Sequence, residues 1–228
     1  MEDDVHPSAH AHISLCVQRY LDKDKHHHVV DLGSRLATNQ NLSHRDLLAD
    51  YDFSYTGVDV RPGPNVDVVM KQPYRIPVKS NSADVLISGQ AFEHIPFFWA
   101  SLLEIARVLK PGGYAFITAP SRGHIHSVYD CWRYYPDSFR AMARFSKLRL
   151  REQHTDFPPK KNGRLDYSEL DPNYYWGDSV GVFQKPKNYP GWKMAIVREV
   201  HVRYANHCRD LESTPKPKKV PERAKILG

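Results

Sequence analysis

The chain has 228 residues, is 41% hydrophobic and carries a formal net charge of +6. Its length suits one α/β domain with its own core, it lacks the apolar run of roughly 18 residues that spans a bilayer, and its acidic start predicts no signal peptide. Three widely spaced cysteines exclude a disulfide framework and a zinc finger and favour the reducing cytoplasm. We therefore expect a cytoplasmic protein without membrane contact.

The N-terminal part of the chain is polar and rich in histidine. Residues 1–12 include His10 and His12, which are spaced for metal binding, but we interpret the stretch as a frayed terminus. The apolar spacing over 13–21 predicts a short helix packed on a sheet. We interpret the histidine-rich run 25–28 as the polar approach to a buried strand, rather than as a metal cluster.

Two predicted strands then end in acidic residues. The first, over 29–32, contains Asp31 and leads into a sharp turn at Gly33, and the second ends at Asp59. Ligands of open parallel sheets bind beyond the carboxyl ends of the strands, and a strand-end acid placed after a glycine turn can accept hydrogen bonds from ribose. This pattern indicates a nucleotide-type cofactor. Because only Gly33 remains of the glycine-rich pattern, an ordinary strand–turn–helix with a surface aspartate is the alternative.

Further along the chain, strands and helices alternate. The predicted elements are a helix capped by Ser43 over 43–51, strands over 66–70 and 83–88, a helix over 98–109, a strand over 114–119, a helix over 136–145 and a strand over 148–155. This alternation predicts a mostly parallel sheet. The segment 157–191, rich in Pro, Gly and Tyr, interrupts it, and we interpret it as a substrate-side insertion or lid. With a last strand over 194–204, the domain is expected to span 1–212 and to leave a basic, disordered tail over 213–228.

Five short motifs follow the predicted strands and helices in order. They are Val30-Asp31-Leu32-Gly33, Gly57-Val58-Asp59, Ala83-Asp84-Val85, Phe92-Glu93-His94-Ile95 and Val108-Leu109-Lys110-Pro111-Gly112-Gly113-Tyr114. Together they resemble the class I S-adenosylmethionine-dependent methyltransferases. The resemblance implies a Rossmann-like α/β fold with a mostly parallel seven-stranded sheet and helices on both faces. It also implies S-adenosylmethionine as the cofactor and, from the habit of this class, a homodimer.

The same resemblance assigns cofactor-binding residues. It implies that Asp31 and the Gly33 turn hold the methionine part of the cofactor and that Asp59 holds the ribose. The loop after the third strand lacks the acid that usually meets adenine, which leaves Gln72, the backbone or packing for that role. Arg35 can pair with the methionine carboxylate, although a surface arginine is an equally good interpretation. The predicted cofactor-binding residues are Asp31, Gly33, Ser34, Arg35, Asp59, Gln72, Ser88 and Gln90.

A polar, aromatic loop follows the strand over 114–119, where the substrate is expected. His124 or His126 is the predicted general base, since imidazole titrates near neutral pH, and Asp130 is expected to orient it or to help hold a metal. The alternative is that both histidines cap a polar loop while the aromatic side chains belong to the core. The predicted substrate-binding residues are Glu93, His94, Trp132, Arg133, Tyr134, Tyr175 and Trp176.

The run from Asp130 to Asp137 resembles small bacterial methyltransferases of saccharide modification and, beyond these, the mycobacterial mannoside 1-O-methyltransferases of methylmannose polysaccharide synthesis. This resemblance implies methyl transfer to a saccharide hydroxyl, such as the anomeric hydroxyl of a short mannoside, with magnesium as a candidate cofactor. Sugar methyltransferases that bind magnesium use grouped acids. The sequence shows no such pair, so the metal is left open.

Two rival functions are consistent with the same fold. One is a methyltransferase for nucleic acid or small phenols, but a nucleic-acid enzyme should present a concentrated basic face, whereas Lys and Arg are dispersed until the tail. The other is a non-catalytic binding subunit in which the reduced glycine turn no longer holds a cofactor.

Overall fold

The structure is a computed structural model that describes residues 7–37, 40–123, 125, 129–158, 160–165 and 176–208. Its helices and strands are α1 (Pro7–Tyr20), β1 (His27–Leu32), β2 (Phe53–Asp59), β3 (Val68–Val69), β4 (Ala83–Gly89), α2 (Phe98–Val108), β5 (Leu109–Arg122), α3 (Pro136–Ser146), β6 (Arg149–Thr155), β7 (Lys160–Lys161), β8 (Arg164–Leu165), β9 (Gly177–Gln184) and α4 (Gly191–His207). Single turns of 3-10 helix lie at Asp46–Leu48 and Phe92–His94. No helix in these ranges is both long enough and apolar enough to cross a bilayer.

Seven strands form one sheet in the order β3-β2-β1-β4-β5-β9-β6. All neighbours are parallel except for β9, which runs antiparallel to β5 and β6, so the predicted seven-stranded, mostly parallel sheet is confirmed. Asp31 lies opposite Gly57 of β2 and Ile87 of β4, which brings the carboxyl ends of these three strands to one level. Strand order reverses between β1 and β4, and ligands of open α/β sheets bind at such a switch point. We call this side of the sheet the carboxyl edge.

Helices cover both faces of the sheet, as predicted. On one face α1 packs Ile13 and Val17 against Val29, Ile87 and Phe116. On the other face α2 and α3 contribute the larger of the two core clusters, and α4 packs outside α2. The central strands are buried on both sides, which explains their continuous apolar runs.

The structure corrects four of the predicted elements. The helix expected over 43–51 is only the single 3-10 turn Asp46–Leu48. The strand expected over 194–204 is part of helix α4, and the true last strand is β9, which falls inside the predicted insertion 157–191. The insertion is therefore shorter than predicted and includes the small β7–β8 hairpin. Residues 7–12 are helical rather than frayed, because α1 begins at Pro7. The predicted tail over 213–228 lies outside the described residues.

A substitution at Gly33 is expected to destabilise the folded chain. Its φ is +81°, and an added Cβ would lie 2.6 Å from the Ala91 Cβ. Gly33→Ala therefore combines backbone strain with a steric clash, and we expect a loss of about 2–4 kcal/mol in the free energy of unfolding. Gly163 has a similar φ of +77° but nothing within 4 Å of an added Cβ. Gly163→Ala should cost only the strain, about 1 kcal/mol. Equal losses in urea unfolding would contradict the proposed clash.

Candidate active site

The turn after β1 lies directly against the end of β2. The Gly33 and Ser34 amides both donate to the Val58 carbonyl oxygen, at 2.9 and 3.2 Å. The Asp59 carboxylate accepts from the backbone amides of Arg35, at 3.3 Å, and Arg61, at 2.9 Å. A carboxylate has room for about four hydrogen bonds. The half-buried Asp59 is thus held beside the turn and retains acceptor capacity for ribose hydroxyls, so the residues at this edge fit the predicted cofactor.

Asp31 supports this edge from beneath. It is fully buried, and its Oδ2 accepts hydrogen bonds from the Tyr55 hydroxyl and from His44 Nδ1, the latter at 2.9 Å. The His44 ring in turn lies against Gly89, where an added Cβ would be 2.6 Å from two ring atoms. Because these side chains cover Asp31, the predicted direct contact between Asp31 and the cofactor is replaced by a supporting role. The sequence offered no sign of His44, whose partner is set only by the fold.

The Asp31–His44 pair predicts a pH-dependent contribution to stability. Burial lowers the pKa of His44, but the Asp31 charge and hydrogen bond raise it further, and the net pKa lies above the ordinary value. His44→Ala leaves a buried carboxylate with one partner fewer, so we expect a loss of about 3–5 kcal/mol in the free energy of unfolding. The wild-type advantage should be complete below the ordinary histidine pKa and should shrink as pH rises through the raised value.

A matched control for this variant is available at the protein surface. His26 Nδ1 lies 2.8 Å from Asp52 Oδ1, with both side chains more than half exposed. His26→Ala should therefore cost less than about 1 kcal/mol. Urea unfolding of both variants across pH measures the difference. A His44→Ala loss no larger than that of His26→Ala would mean that the buried pair contributes little.

A second cluster of polar side chains follows β4. Glu93 is fully buried in the turn Phe92–His94, and neither of its carboxylate oxygens hydrogen-bonds to another described residue. His94 Nε2 lies 3.6 Å from the Glu93 Oε1. Burial raises the pKa of Glu93 to about 8, and the charges of Asp130 and Asp178 raise it as well, against the opposing effect of Arg133. A carboxyl group that titrates near neutral pH can take up and release a proton during a reaction.

We refer to Glu93, Asp130 and Asp178 as the acid cluster. The Cys131 amide donates to the Glu93 carbonyl oxygen at 2.7 Å, which ties the loop carrying Asp130 to the turn after β4. Asp178, at the start of β9, is fully buried and accepts from Gln90 Nε2 at 3.1 Å and from the Ser8 hydroxyl of α1. Among the described residues, the ligand atoms of these three acids do not form a group that could hold a metal, so the metal stays open as predicted. These three acids lie far apart in the sequence and meet only in the fold.

Two predicted substrate residues have internal roles instead. Arg133 binds both carboxylate oxygens of Asp130, whose side chain is fully buried, so these two groups form an ion pair within the loop. Tyr134 is only 2% exposed, donates its hydroxyl hydrogen to the Phe92 carbonyl oxygen at 3.1 Å and packs on Phe139. Tyr134 therefore belongs to the core rather than to the surface of the predicted substrate site.

Two tryptophans lie near this loop. Trp132 is 37% exposed, and its Nε1 donates to the carbonyl oxygens of Ile95 and Pro96 while its ring packs against Phe98. The half-buried Trp176 lies against Gly123, where an added Cβ would be 2.0 Å from its ring. Both rings are thus fixed by neighbours near the acid cluster. Trp132 has the exposed area that contact with a substrate requires.

The remaining predicted residues differ in their access to a ligand. Ser88 is buried and donates to the Leu32 carbonyl oxygen, so it links β4 to β1 rather than facing a ligand. Ser34 is also buried, Arg35 packs its aliphatic stem near Gly63, and Gln72 is exposed. His94 Nδ1 hydrogen-bonds to the Tyr129 carbonyl oxygen, and the other ring nitrogen, Nε2, faces Glu93. The predicted His124, His126 and Tyr175 lie outside the described residues.

Comparison with known proteins identifies the type of domain. Residues 35–117 match the family model described as a methyltransferase domain. A Mycobacterium leprae protein, the phthiotriol/phenolphthiotriol dimycocerosates methyltransferase, is 30% identical in an alignment 111 residues long that covers 37% of this chain and 41% of that protein. The matched region thus spans about two fifths of this curated relative. The name of this relative does not refer to a saccharide.

Solved structures agree with the fold. The Haloferax volcanii methyltransferase complex with the Trm112 activator has a chain that is 20% identical, with a TM-score of 0.57 over 78% of this chain and 91% of that one. The Burkholderia thailandensis 1,6-didemethyltoxoflavin-N1-methyltransferase, which was solved with S-adenosylhomocysteine, is 13% identical, with a TM-score of 0.56 over 78% and 79%. The chain therefore has the class I methyltransferase fold, and the family match supports methyl transfer with S-adenosylmethionine as its class of reaction.

Proposed function

We propose that this chain, which has the class I methyltransferase fold, transfers a methyl group from S-adenosylmethionine to a hydroxyl group. The observation that carries the proposal is Glu93, a buried carboxyl without a hydrogen bond to another described residue and with a pKa of about 8, at the carboxyl edge. When bound, the cofactor supplies a methyl group on a sulfonium, which a hydroxyl oxygen can take. The Gly33 turn and Asp59 hold the cofactor beyond β1 and β2.

The proposed role of Glu93 is to take the proton of the acceptor hydroxyl. Because the Glu93 side chain is fully buried, this role requires the residues that cover it to move aside when the acceptor binds. With the cofactor and acceptor bound, the ionised Glu93 carboxylate would take the hydroxyl proton and become neutral. His94 lies 3.6 Å from that carboxylate and can position it. Because the pKa of Glu93 is about 8, the carboxylate is basic enough to accept a proton and is still ionised in part near neutral pH. The predicted base, His124 or His126, remains a candidate beside it.

For the acceptor we propose a saccharide hydroxyl, and more narrowly the anomeric hydroxyl of a short mannoside. Carboxylates and a rigid aromatic ring are the groups that a site for a hydroxyl-rich ligand needs. Of the acid cluster, Glu93 has carboxylate oxygens without a hydrogen bond to another described residue, and the exposed part of Trp132 supplies the ring. Magnesium is a weaker element of the proposal, since among the described residues the acid cluster is not a set whose ligand atoms converge on one point.

A homodimer is the oligomeric state that we propose. Four large apolar side chains of α4, four residues apart and more than 60% exposed, are Trp192, Ile196, Val200 and Tyr204. Residues at this spacing share one face of a helix, so they offer a self-complementary apolar surface. Sedimentation of the tag-free protein determines whether it dimerises.

Mass spectrometry of a substrate panel tests the proposed function. The panel contains free and reducing-end-blocked mannosides, other saccharides, small phenols, RNA and the phthiotriol acceptor named for the curated relative, each with cofactor and with magnesium or chelator. We expect a single methyl mass gain on one saccharide class, and loss of that gain with a blocked reducing end would place the acceptor at the anomeric hydroxyl. A gain on phenol, RNA or phthiotriol alone would overturn the saccharide assignment. Absence of cofactor binding would instead support the non-catalytic subunit.

A further inference from the structure

Three metal-ligating side chains converge outside the acid cluster. His12 of α1, His154 near the end of β6 and Asp156 just after β6 place one ligand atom each within 4.8 Å of one another. His12 Nε2 is 3.1 Å from Asp156 Oδ2, and His154 Nε2 is 3.2 Å from Asp156 Oδ1. The two imidazole rings have centroids 5.4 Å apart. We propose that these three side chains bind a transition-metal ion of the zinc type.

The spacing of the ligand atoms fits such an ion. Zinc–nitrogen and zinc–oxygen bonds of about 2.0–2.1 Å at a tetrahedral angle place neighbouring ligand atoms roughly 3.3 Å apart. The two His–Asp distances of 3.1 and 3.2 Å, one to each oxygen of Asp156, are close to that value, and all three ligand atoms lie within 4.8 Å of one another. Three protein ligands leave a fourth position for water or another ligand. Imidazole nitrogen suits zinc, nickel and copper, whereas magnesium and calcium prefer ligand sets made of oxygen.

The backbone around the site is already ordered. The Asp156 amide donates to the Asp178 carbonyl oxygen at 2.8 Å, and the Arg122 guanidinium donates to the Asp156 carbonyl oxygen. These bonds hold the residue between β6 and β9 before any metal binds. Such outer contacts orient metal ligands and affect their affinity.

A route from solvent also exists. A cavity of about 250 Å³ is lined by His12, Cys16, Glu152 and His154, among others. The His154 side chain is 57% exposed, whereas those of His12 and Asp156 are 15% and 31% exposed. An ion can therefore reach the site without unfolding of α1.

Metal binding at this site would fasten α1 to the sheet. The helix contributes His12 to the proposed site and Ser8 to the acid cluster through Asp178, so one ion would fix the helix that borders the carboxyl edge. The inference does not depend on methyl transfer. Without a metal, the same three side chains can form only a hydrogen-bonded ion cluster, and the experiment must separate these two cases.

Calorimetric titration of tag-free, chelator-stripped protein with Zn²⁺ distinguishes a metal site from a hydrogen-bonded ion cluster. We expect one ion per chain, a rise in Tm on saturation, and a visible absorption band of tetrahedral geometry when Co²⁺ replaces Zn²⁺. His12→Ala and His154→Ala should each weaken binding by at least about 100-fold, beyond the 10–100-fold typical for loss of an outer partner. The exposed position of His154 makes its replacement compatible with folding, which circular dichroism checks.

Two control variants test whether Zn²⁺ binds at other histidines instead. His207→Ala changes an exposed histidine on α4, which packs on the opposite side of the sheet from α1, and should leave affinity unchanged. His27→Ala tests the histidine run at the start of β1. Equal affinity of the wild type and His154→Ala, or loss of binding only in His27→Ala, would overturn the proposed site. Because no cofactor or acceptor is present, failure of the methyl-transfer proposal would not affect this result.

Discussion

Glu93→Gln is expected to lower kcat by about 100- to 10,000-fold, the range attributed to a positioned acid–base group. Glutamine keeps the shape of the side chain but cannot take the acceptor proton. The wild-type rate should rise with pH up to about 8, the pKa of Glu93, and the variant should lose that dependence. Initial-rate measurements across pH, with the acceptor found in the substrate panel, test both statements.

Glu104→Gln is the matched control, because Glu104 is the other fully buried glutamate of the described core. It accepts hydrogen bonds from the Ile76 amide at 3.0 Å and from the Arg107 guanidinium at 2.6 and 2.8 Å, so its role is to hold α2. We expect it to lose stability while keeping kcat per folded molecule. A Glu93→Gln variant with the wild-type kcat would remove Glu93 from the reaction.

The pH dependence of the free energy of unfolding of Glu93→Gln tests independently whether the Glu93 carboxyl group is buried. The pKa of Glu93 is raised from 4.5 to about 8, so over this range the folded chain holds a proton that the unfolded chain releases. The contribution of Glu93 to stability is then fully present below the unfolded pKa and is lost as pH rises through the folded value. The variant should therefore gain a few kcal/mol relative to wild type over this range. A constant difference across pH would mean that Glu93 is not buried.

Asp59→Ala should weaken the binding of S-adenosylhomocysteine by about 1.5–3 kcal/mol, which corresponds to roughly 10- to 150-fold in Kd. The reason is that the Asp59 carboxylate is held at the end of β2 by two backbone amides and would accept the ribose hydroxyls. Calorimetry of the two proteins measures the change. The free energy of unfolding should fall much less than the affinity, since Asp59 is only half-buried.

Asp52→Ala is the matched control for this prediction. Asp52 immediately precedes β2, at its amino end, and its side chain is 70% exposed in a pair with His26. Asp52 has the same side chain as Asp59, but it lies before the start of β2, at the opposite edge of the sheet. Its replacement should leave the Kd unchanged. Equal losses for both variants would indicate a general charge effect instead of a ribose contact.

The central strands could be predicted because their signal is local. Strands β1, β4 and β5 each contain a buried apolar run, and the acids near the ends of β1 and β2, with the glycine after β1, mark the carboxyl edge directly. Strand β9 carries no such signal, since its first half reads Gly177-Asp178-Ser179. Those polar groups are buried only because distant partners satisfy them, as when the Ser179 hydroxyl bonds to the Tyr134 carbonyl oxygen at 2.7 Å. The sequence of helix α4 predicts a strand because β-branched residues such as Ile196 and Val200 favour strands, although in the helix both are exposed.

The site was predictable where one residue acts through its position on a strand and unpredictable where residues act together. Gly33 and Asp59 follow from motif position alone. The pairing of Asp130 with Arg133 competes with the predicted catalytic and substrate roles, and only the folded loop reveals it. In the proposed metal site, His154 and Asp156 are two residues apart at a strand end, a visible local signal. Their third partner, His12, is more than 140 positions away, and the fold alone brings it there.

The most direct test of the account is a crystal structure with S-adenosylhomocysteine bound. We expect the ribose hydroxyls to hydrogen-bond to the Asp59 carboxylate, the homocysteine part to lie along the Gly33 turn, and the sulfur to face Glu93. A cofactor bound away from the carboxyl edge, or one whose sulfur points away from Glu93, would contradict it.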